Sequence, residues 1–92
     1  MTPDPILLRR ELHRLPELGF SEFKTSQVLK NLMAKVGKVR TLGETGFYVD
    51  LGSRDASRTL LLRADMDGLP ILEETGLPYA SIHKGCMHAC GH

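Results

Sequence analysis

The chain has 92 residues, enough for one small domain and too few for two, because domains generally run from about 50 to 250 residues. Hydrophobic residues make up 41% and charged residues 25%, with nine glycines and five prolines, a balance that excludes wholesale disorder, collagen and low-complexity classes. Lys plus Arg at 12 against Asp plus Glu at 11 give a formal charge of +1, which argues against a strongly basic nucleic-acid or membrane-surface protein and against an acidic tail.

Thr2-Pro3-Asp4-Pro5 is followed at once by Arg9, Arg10, Glu11 and Arg14, so no apolar signal-peptide stretch follows Met1. Apolar runs such as Leu60-Leu61-Leu62 are far short of the roughly 20 residues that cross a bilayer. A cytoplasmic location is the expectation, and with it Cys86 and Cys90 are expected to stay free rather than form a structural disulfide.

Thr2 before Pro3 reads as an N-cap with proline at the first helical position, and Leu8, Leu12 and Leu15 recur at helical spacing. This predicts a first helix over about residues 3 to 15, stopped by Pro16. Ser21 is a second cap candidate, followed by an apolar stripe of Val28, Leu29, Leu32, Met33 and Val36. A second helix is therefore predicted over about 22 to 36, with Gly37 in the C-cap place.

The period then changes. Phe47, Val49 and Leu51 alternate with Tyr48 and Asp50 and predict a half-exposed strand, while Thr59-Leu60-Leu61-Leu62 predicts a short buried one. The turn cluster 52–57 separates them, and a further strand is expected at Val39 to Leu42. Residues 68–92, rich in Gly and Pro, read mostly as loop. The fold class is α/β: two N-terminal helices followed by strands of a mixed sheet, incomplete within this length.

Side-chain chemistry concentrates in the last third, at Asp65, Asp67, Glu73, Glu74, His83, Cys86, His88, Cys90 and His92. Asp65 and Asp67 follow the predicted buried strand, and residues two apart in extended chain face one side, so both carboxylates can serve one site at a strand end. The same pair equally suits acids that solvate a strand exit or cap a turn at Asp67-Gly68. The tail Cys86-Met87-His88-Ala89-Cys90-Gly91-His92 offers a soft ligand at every second position. At about 3.3 Å per residue its span is too long for all four to bind one ion at bonds of about 2.0–2.3 Å. Cys90 with His92 is the best pair, because Gly91 permits unusual backbone angles between them. Glu73-Glu74, between Pro70 and Gly76, reads as a solvated loop, and His13 reads as a surface or capping residue.

Three blocks carry a family resemblance: Leu12-His13-Arg14-Leu15-Pro16-Glu17-Leu18-Gly19-Phe20, Leu62-Arg63-Ala64-Asp65-Met66-Asp67-Gly68-Leu69-Pro70-Ile71, and Met87-His88-Ala89-Cys90-Gly91-His92. In this order they resemble the signature blocks of the M20 metallopeptidases, and within them the amidohydrolase branch of hippurate hydrolases, auxin-conjugate hydrolases and N-acetyldiaminopimelate deacetylases. The resemblance implies a zinc-peptidase-like catalytic domain that hydrolyses the amide of N-acyl amino acids by metal-activated water. It implies a pair of divalent ions (Zn, Mn, Co or Ni) and a small-molecule substrate, with no nucleic-acid or membrane partner and with homo-oligomer formation left open. Carried over by position, Cys90 and His92 are metal ligands and Asp67 supports the metal site. Asp65 falls where the wider family has a ligand histidine, a departure shared by the branch that leaves it without a role. Glu73 is given a structural role, Gly68 replaces the more usual alanine, and neither Cys86 nor His88 is among the ligands carried over.

The branch's general-base glutamate follows an A-C-G-H-D block, of which this sequence holds the residues up to His92. The expectation is thus an N-terminal portion of a catalytic domain, residues 1–92, inactive alone and marginally stable or self-associating. The competing class is a small non-catalytic zinc module, in which Cys86, His88, Cys90 or His92 close a site with His83 or Asp67.

Overall fold

In a computed structural model that describes residues 3–92, four regular elements follow one another: α1 (Pro5–Arg14), α2 (Phe23–Met33), β1 (Val39–Leu42) and β2 (Gly46–Val49). Asp4 caps α1: its carboxylate accepts the Ile6 N–H at 2.8 Å, and Pro5 takes the first helical turn, where its missing N–H costs nothing. The cap predicted at Thr2 lies outside the described residues, and Pro3 precedes the helix. None of the described helices is long and apolar enough to cross a membrane.

The cap of α2 corrects the sequence reading. Ser21 makes no cap bond, and the side chain of Glu22 in the cap position makes none to the helix either. The orphan amides of the first turn are met from outside the helix by Glu17, whose carboxylate accepts the N–H of Thr25 at 2.6 Å and of Lys24 at 3.2 Å and the Thr25 hydroxyl at 2.7 Å. Burial pushes the Glu17 carboxyl upward, but the bonds from Thr25 and Lys24 outweigh it and hold it below the ordinary glutamate value. Between the helices the Ser21 amide closes a turn on the Leu18 carbonyl at 2.9 Å, with the exposed Phe20 in the left-handed region at φ 68°.

Helix α2 ends at Met33 rather than 36, and Gly37 lacks the left-handed angle of a C-cap glycine. Its value is space: a Cβ there would stand 2.7 Å from Val49 Cγ1. The strands β1 and β2 pair antiparallel, Val39 opposite Val49 and Leu42 opposite Gly46, around a three-residue turn entered through Gly43 at φ 63°. Two helices followed by strands match the expected fold class, but the sheet of the described residues is antiparallel rather than mixed: β1 pairs with β2, and Leu51 lies beyond the pairing. A buried polar seam docks α2 on the turn, because Ser26 Oγ donates to the Thr45 carbonyl at 2.6 Å and Thr45 Oγ1 donates to Glu22 at 3.1 Å.

The buried strand expected at 59–62 is not formed. Leu60, Leu61 and Leu62 are 83%, 85% and 84% exposed and belong to no strand, because no described element lies alongside to complete a ladder or cover their side chains. No apolar side chain among the described residues is fully buried, except that of Pro16. The radius of gyration is 14.9 Å, against about 12 Å for a closed domain of this size.

Instead, the loop region is tied back by hydrogen bonds to the last residue of α1 and the short segment after it. Ile82 N–H donates to the Arg14 carbonyl at 2.9 Å, His83 Nδ1 to the Pro16 carbonyl at 2.9 Å, and Gly68 N–H to the Glu17 carbonyl at 2.7 Å. Glu73 is not in a solvated loop: its side chain is 3% exposed and accepts from His13 Nε2 and the Ser81 amide at 2.9 Å each, and from the Thr75 hydroxyl. The Thr75 hydroxyl bond, opposed by burial and aided by Ser81 and His13, holds the Glu73 carboxyl below its ordinary value. His13, 11% exposed, is therefore a tie between α1 and the loop rather than a surface residue.

Three outcomes follow from these contacts. Glu17→Gln weakens the α2 cap and lowers stability by about 1–2 kcal/mol, read from the urea midpoint. Because Glu17 and Glu73 both titrate below 4.5 in the fold, their contribution is complete above that pH and is lost as pH falls through their folded values; acid melting monitored by circular dichroism is shallower in Glu17→Gln. Gly68→Ala puts a Cβ 2.9 Å from Pro16 Cβ and 3.3 Å from Cys86 Sγ, and costs about 1–3 kcal/mol in the same urea measurement.

Candidate metal centre

The Gly68 anchor fixes the chain just after Asp67, and a parallel bridge pairs Leu18 with Gly68. One residue further, Leu69 and Met87 exchange antiparallel backbone bonds at 2.8 and 2.9 Å, which brings the tail alongside. Gly91 then turns at φ 80°, the freedom expected of it, so that His92 comes back toward the two acids. As a result, one ligand atom each from Asp65, Asp67 and His92 lie within 4.8 Å of one another. Two ligands on a single ion at bonds of about 2.0–2.3 Å stand up to about 4.5 Å apart, so this triplet closes on a cation with small side-chain adjustments.

The triplet opens into a cleft of about 190 Å³ whose opposite wall is helical, with Arg9, Leu12 and His13 from α1 and Thr25 and Leu29 from α2. Cys90 and His88 line the same cleft. Asp65 is exposed and its carboxylate accepts from Arg63 Nη2 at 2.9 Å, a pair open to solvent and correspondingly weak. Cys90 is exposed and free, and sits beside the triplet without joining it.

His88 lies behind the acids. Its Nδ1 contacts the Asp67 carbonyl at 3.2 Å, and a carbonyl can only accept, so Nδ1 carries the proton. Nε2 is buried with no partner among the described residues. Burial lowers the pKa of this ring; the Asp67 carbonyl opposes the shift, and the nearby His13 and His92 reinforce it, so the neutral form is favoured. An orphaned buried nitrogen at the edge of a cleft lined by carboxylates, imidazole and thiol suits a centre completed by ions and water. The donor set therefore fits divalent cations.

Of the residues singled out by sequence, Asp67 and His92 converge, Cys90 joins their cleft, and Asp65, which resemblance left without a role, stands in the triplet. Cys86 turns away against Gly68, and burial, partly offset by the Met87 amide, raises its thiol pKa, which disfavours the thiolate that binds metal. Among the described residues no group of three ligands includes Cys86, His83 or His88, and of the zinc-module candidates Asp67 and His92 are the ones that meet. What sequence reading missed was the His13–Glu73 tie, whose partners are 60 positions apart and carry no shared periodicity.

Comparison with known proteins agrees with the motifs. Residues 61–92 match Peptidase family M20/M25/M40. The chain is 52% identical over 96 aligned positions to the N-acetyldiaminopimelate deacetylase of Halalkalibacterium halodurans, covering 100% of this chain and 26% of that protein. It is 50% identical over 90 positions to the enzyme of the same name from Bacillus subtilis, covering 95% of this chain and 24% of that protein. The crystal structure of Bacillus subtilis YXEP protein, a dinuclear metal-binding peptidase of the M20 family, superposes with a TM-score of 0.85 at 38% identity, over 95% of this chain and 25% of that one. The chain thus spans about a quarter of the length of these relatives. Over that stretch, in sequence and in fold, the chain matches the M20 peptidase family.

Proposed function

We propose that residues 65–92 form part of the metal cradle of an amidohydrolase that removes the acyl group from an N-acyl amino acid. The convergence of Asp65, Asp67 and His92 on one cleft carries this reading. The naming of its relatives as N-acetyldiaminopimelate deacetylases makes an acetylated diamino acid the first substrate to try.

In this reading Asp65, Asp67, Cys90 and His92 hold two divalent ions, as the M20 neighbour is described as dinuclear. Such ions, when bound, supply Lewis-acid polarisation of the amide carbonyl and acidify water at neutral pH. The residues present do the rest of the cradle's work. The two carboxylates offset the cation charge, the Gly68 anchor keeps Asp67 in place, and the helical wall shields one side of the cleft from water. No glutamate lines the cleft among the described residues, and Glu73 is committed to His13, Thr75 and Ser81. The general base of the reaction is therefore assigned to residues outside these 92.

The purified 92-residue chain is expected to bind Mn²⁺ or Zn²⁺ in calorimetry, with affinity reduced at least about tenfold by His92→Ala and by Cys90→Ser. A chain extended to the length of the relatives is expected to hydrolyse N-acetyl-diaminopimelate, whereas the 92-residue chain shows no turnover. Turnover by the 92-residue chain, abolished by chelator and by Cys90→Ser, would overturn the assignment of the base.

A further inference from the structure

The candidate ligands come from two separate stretches of loop, 65–67 and 90–92, in which Asp67 is half-buried and Asp65, Cys90 and His92 are exposed. Their common support is the Leu69–Met87 backbone bridge, which lies two residues beyond Asp67 on one side and three before Cys90 on the other. Between that bridge and the ligands, one side-chain hydrogen bond joins the stretches among the described residues: His88 Nδ1 to the Asp67 carbonyl.

We propose that His88 is a positioning residue for the metal cradle, holding the main chain of Asp67 against the Cys90–His92 turn so that the carboxylates and the imidazole meet. The inference rests on the metal-cradle reading. Its geometry is specific. The bond is made to the backbone of Asp67, so it fixes where the Asp67 side chain starts and leaves both of its oxygens available. The opposite nitrogen, Nε2, has no partner among the described residues, so the bond from Nδ1 is what ties the ring to the rest of the fold. His13 backs the ring at 6.4 Å between centroids and is itself fixed by Glu73, so the imidazole stands against an ordered wall. Partners that orient metal ligands in this way typically alter affinity by about 10–100-fold when removed.

Two near-isosteres separate the roles of the two nitrogens. An asparagine amide nitrogen occupies the place of Nδ1 and can still donate to the Asp67 carbonyl, whereas a glutamine amide reaches the place of Nε2 and cannot. Cobalt(II) titration of the protein, followed by its visible absorption, is therefore expected to show His88→Gln weakened about tenfold or more and His88→Asn close to the parent, both with the parent's spectrum at saturation. The far-ultraviolet circular dichroism of His88→Asn checks that the fold is kept. Parent-like affinity in His88→Gln overturns the proposal. So does an equal loss in both variants with a changed absorption band, which would make the ring a ligand through Nε2. Failure of the parent to bind cobalt would instead overturn the metal-cradle reading itself, and this inference with it.

Discussion

The end of α1 and the short segment after it organise everything that follows. Their carbonyls at Arg14, Pro16 and Glu17 have no helical partners, and each accepts a donor from the distant loop region: the Ile82 amide, the His83 ring and the Gly68 amide. In a chain that buries almost no apolar side chain, these bonds replace a hydrophobic core as the means of fixing one part against another. They are directional where burial is not, so they specify position sharply while contributing only about 1 kcal/mol each. The candidate ligands inherit that precision, since the Gly68 anchor stands next to Asp67 and the Leu69–Met87 bridge next to Gly68.

Local rules served well where the deciding partner lay close in sequence. The leucine spacing in α1, the stripe in α2 and the short strand at Val39–Leu42 were all legible, because each depends on neighbours within a turn or a hairpin. The caps were less so. At α1 the cap moved from Thr2 to Asp4, a shift within the usual uncertainty of helix ends. At α2 the capping carboxylate comes from Glu17, which no capping pattern anticipates because it precedes the helix by a whole turn of chain. The Leu60–Leu62 run shows the opposite failure: its composition is that of an interior strand, but a strand needs a neighbour to bond, and the described residues supply none.

The site divides in the same way. Motif resemblance singled out Asp67, Cys90 and His92, which line one cleft, and the freedom assigned to Gly91 is used at φ 80°. The spacing of Asp65 and Asp67 placed both acids at one site in one of two open readings, and the fold brings them together with His92. The support behind them was not legible. Glu73 looked like one of two acids in a polar loop, and its burial depends on His13, Thr75 and Ser81 arriving from three directions. Likewise Gly68 looked interchangeable with alanine, until the fold set Pro16, Cys86 and Met87 around its α-carbon.

Glu17 has a second consequence, for competition among anions. The N-terminus of a helix attracts negative charge through its free amides and dipole, and Thr25, in the first turn of α2, lines the same cleft as Asp65 and Asp67. An uncapped α2 would offer those two carboxylates an alternative partner inside the fold. Glu17 already fills that place with a charge of its own, through the Thr25 and Lys24 amides. The aspartates, of which Asp65 also meets the exposed Arg63, are left facing the cleft rather than the helix end.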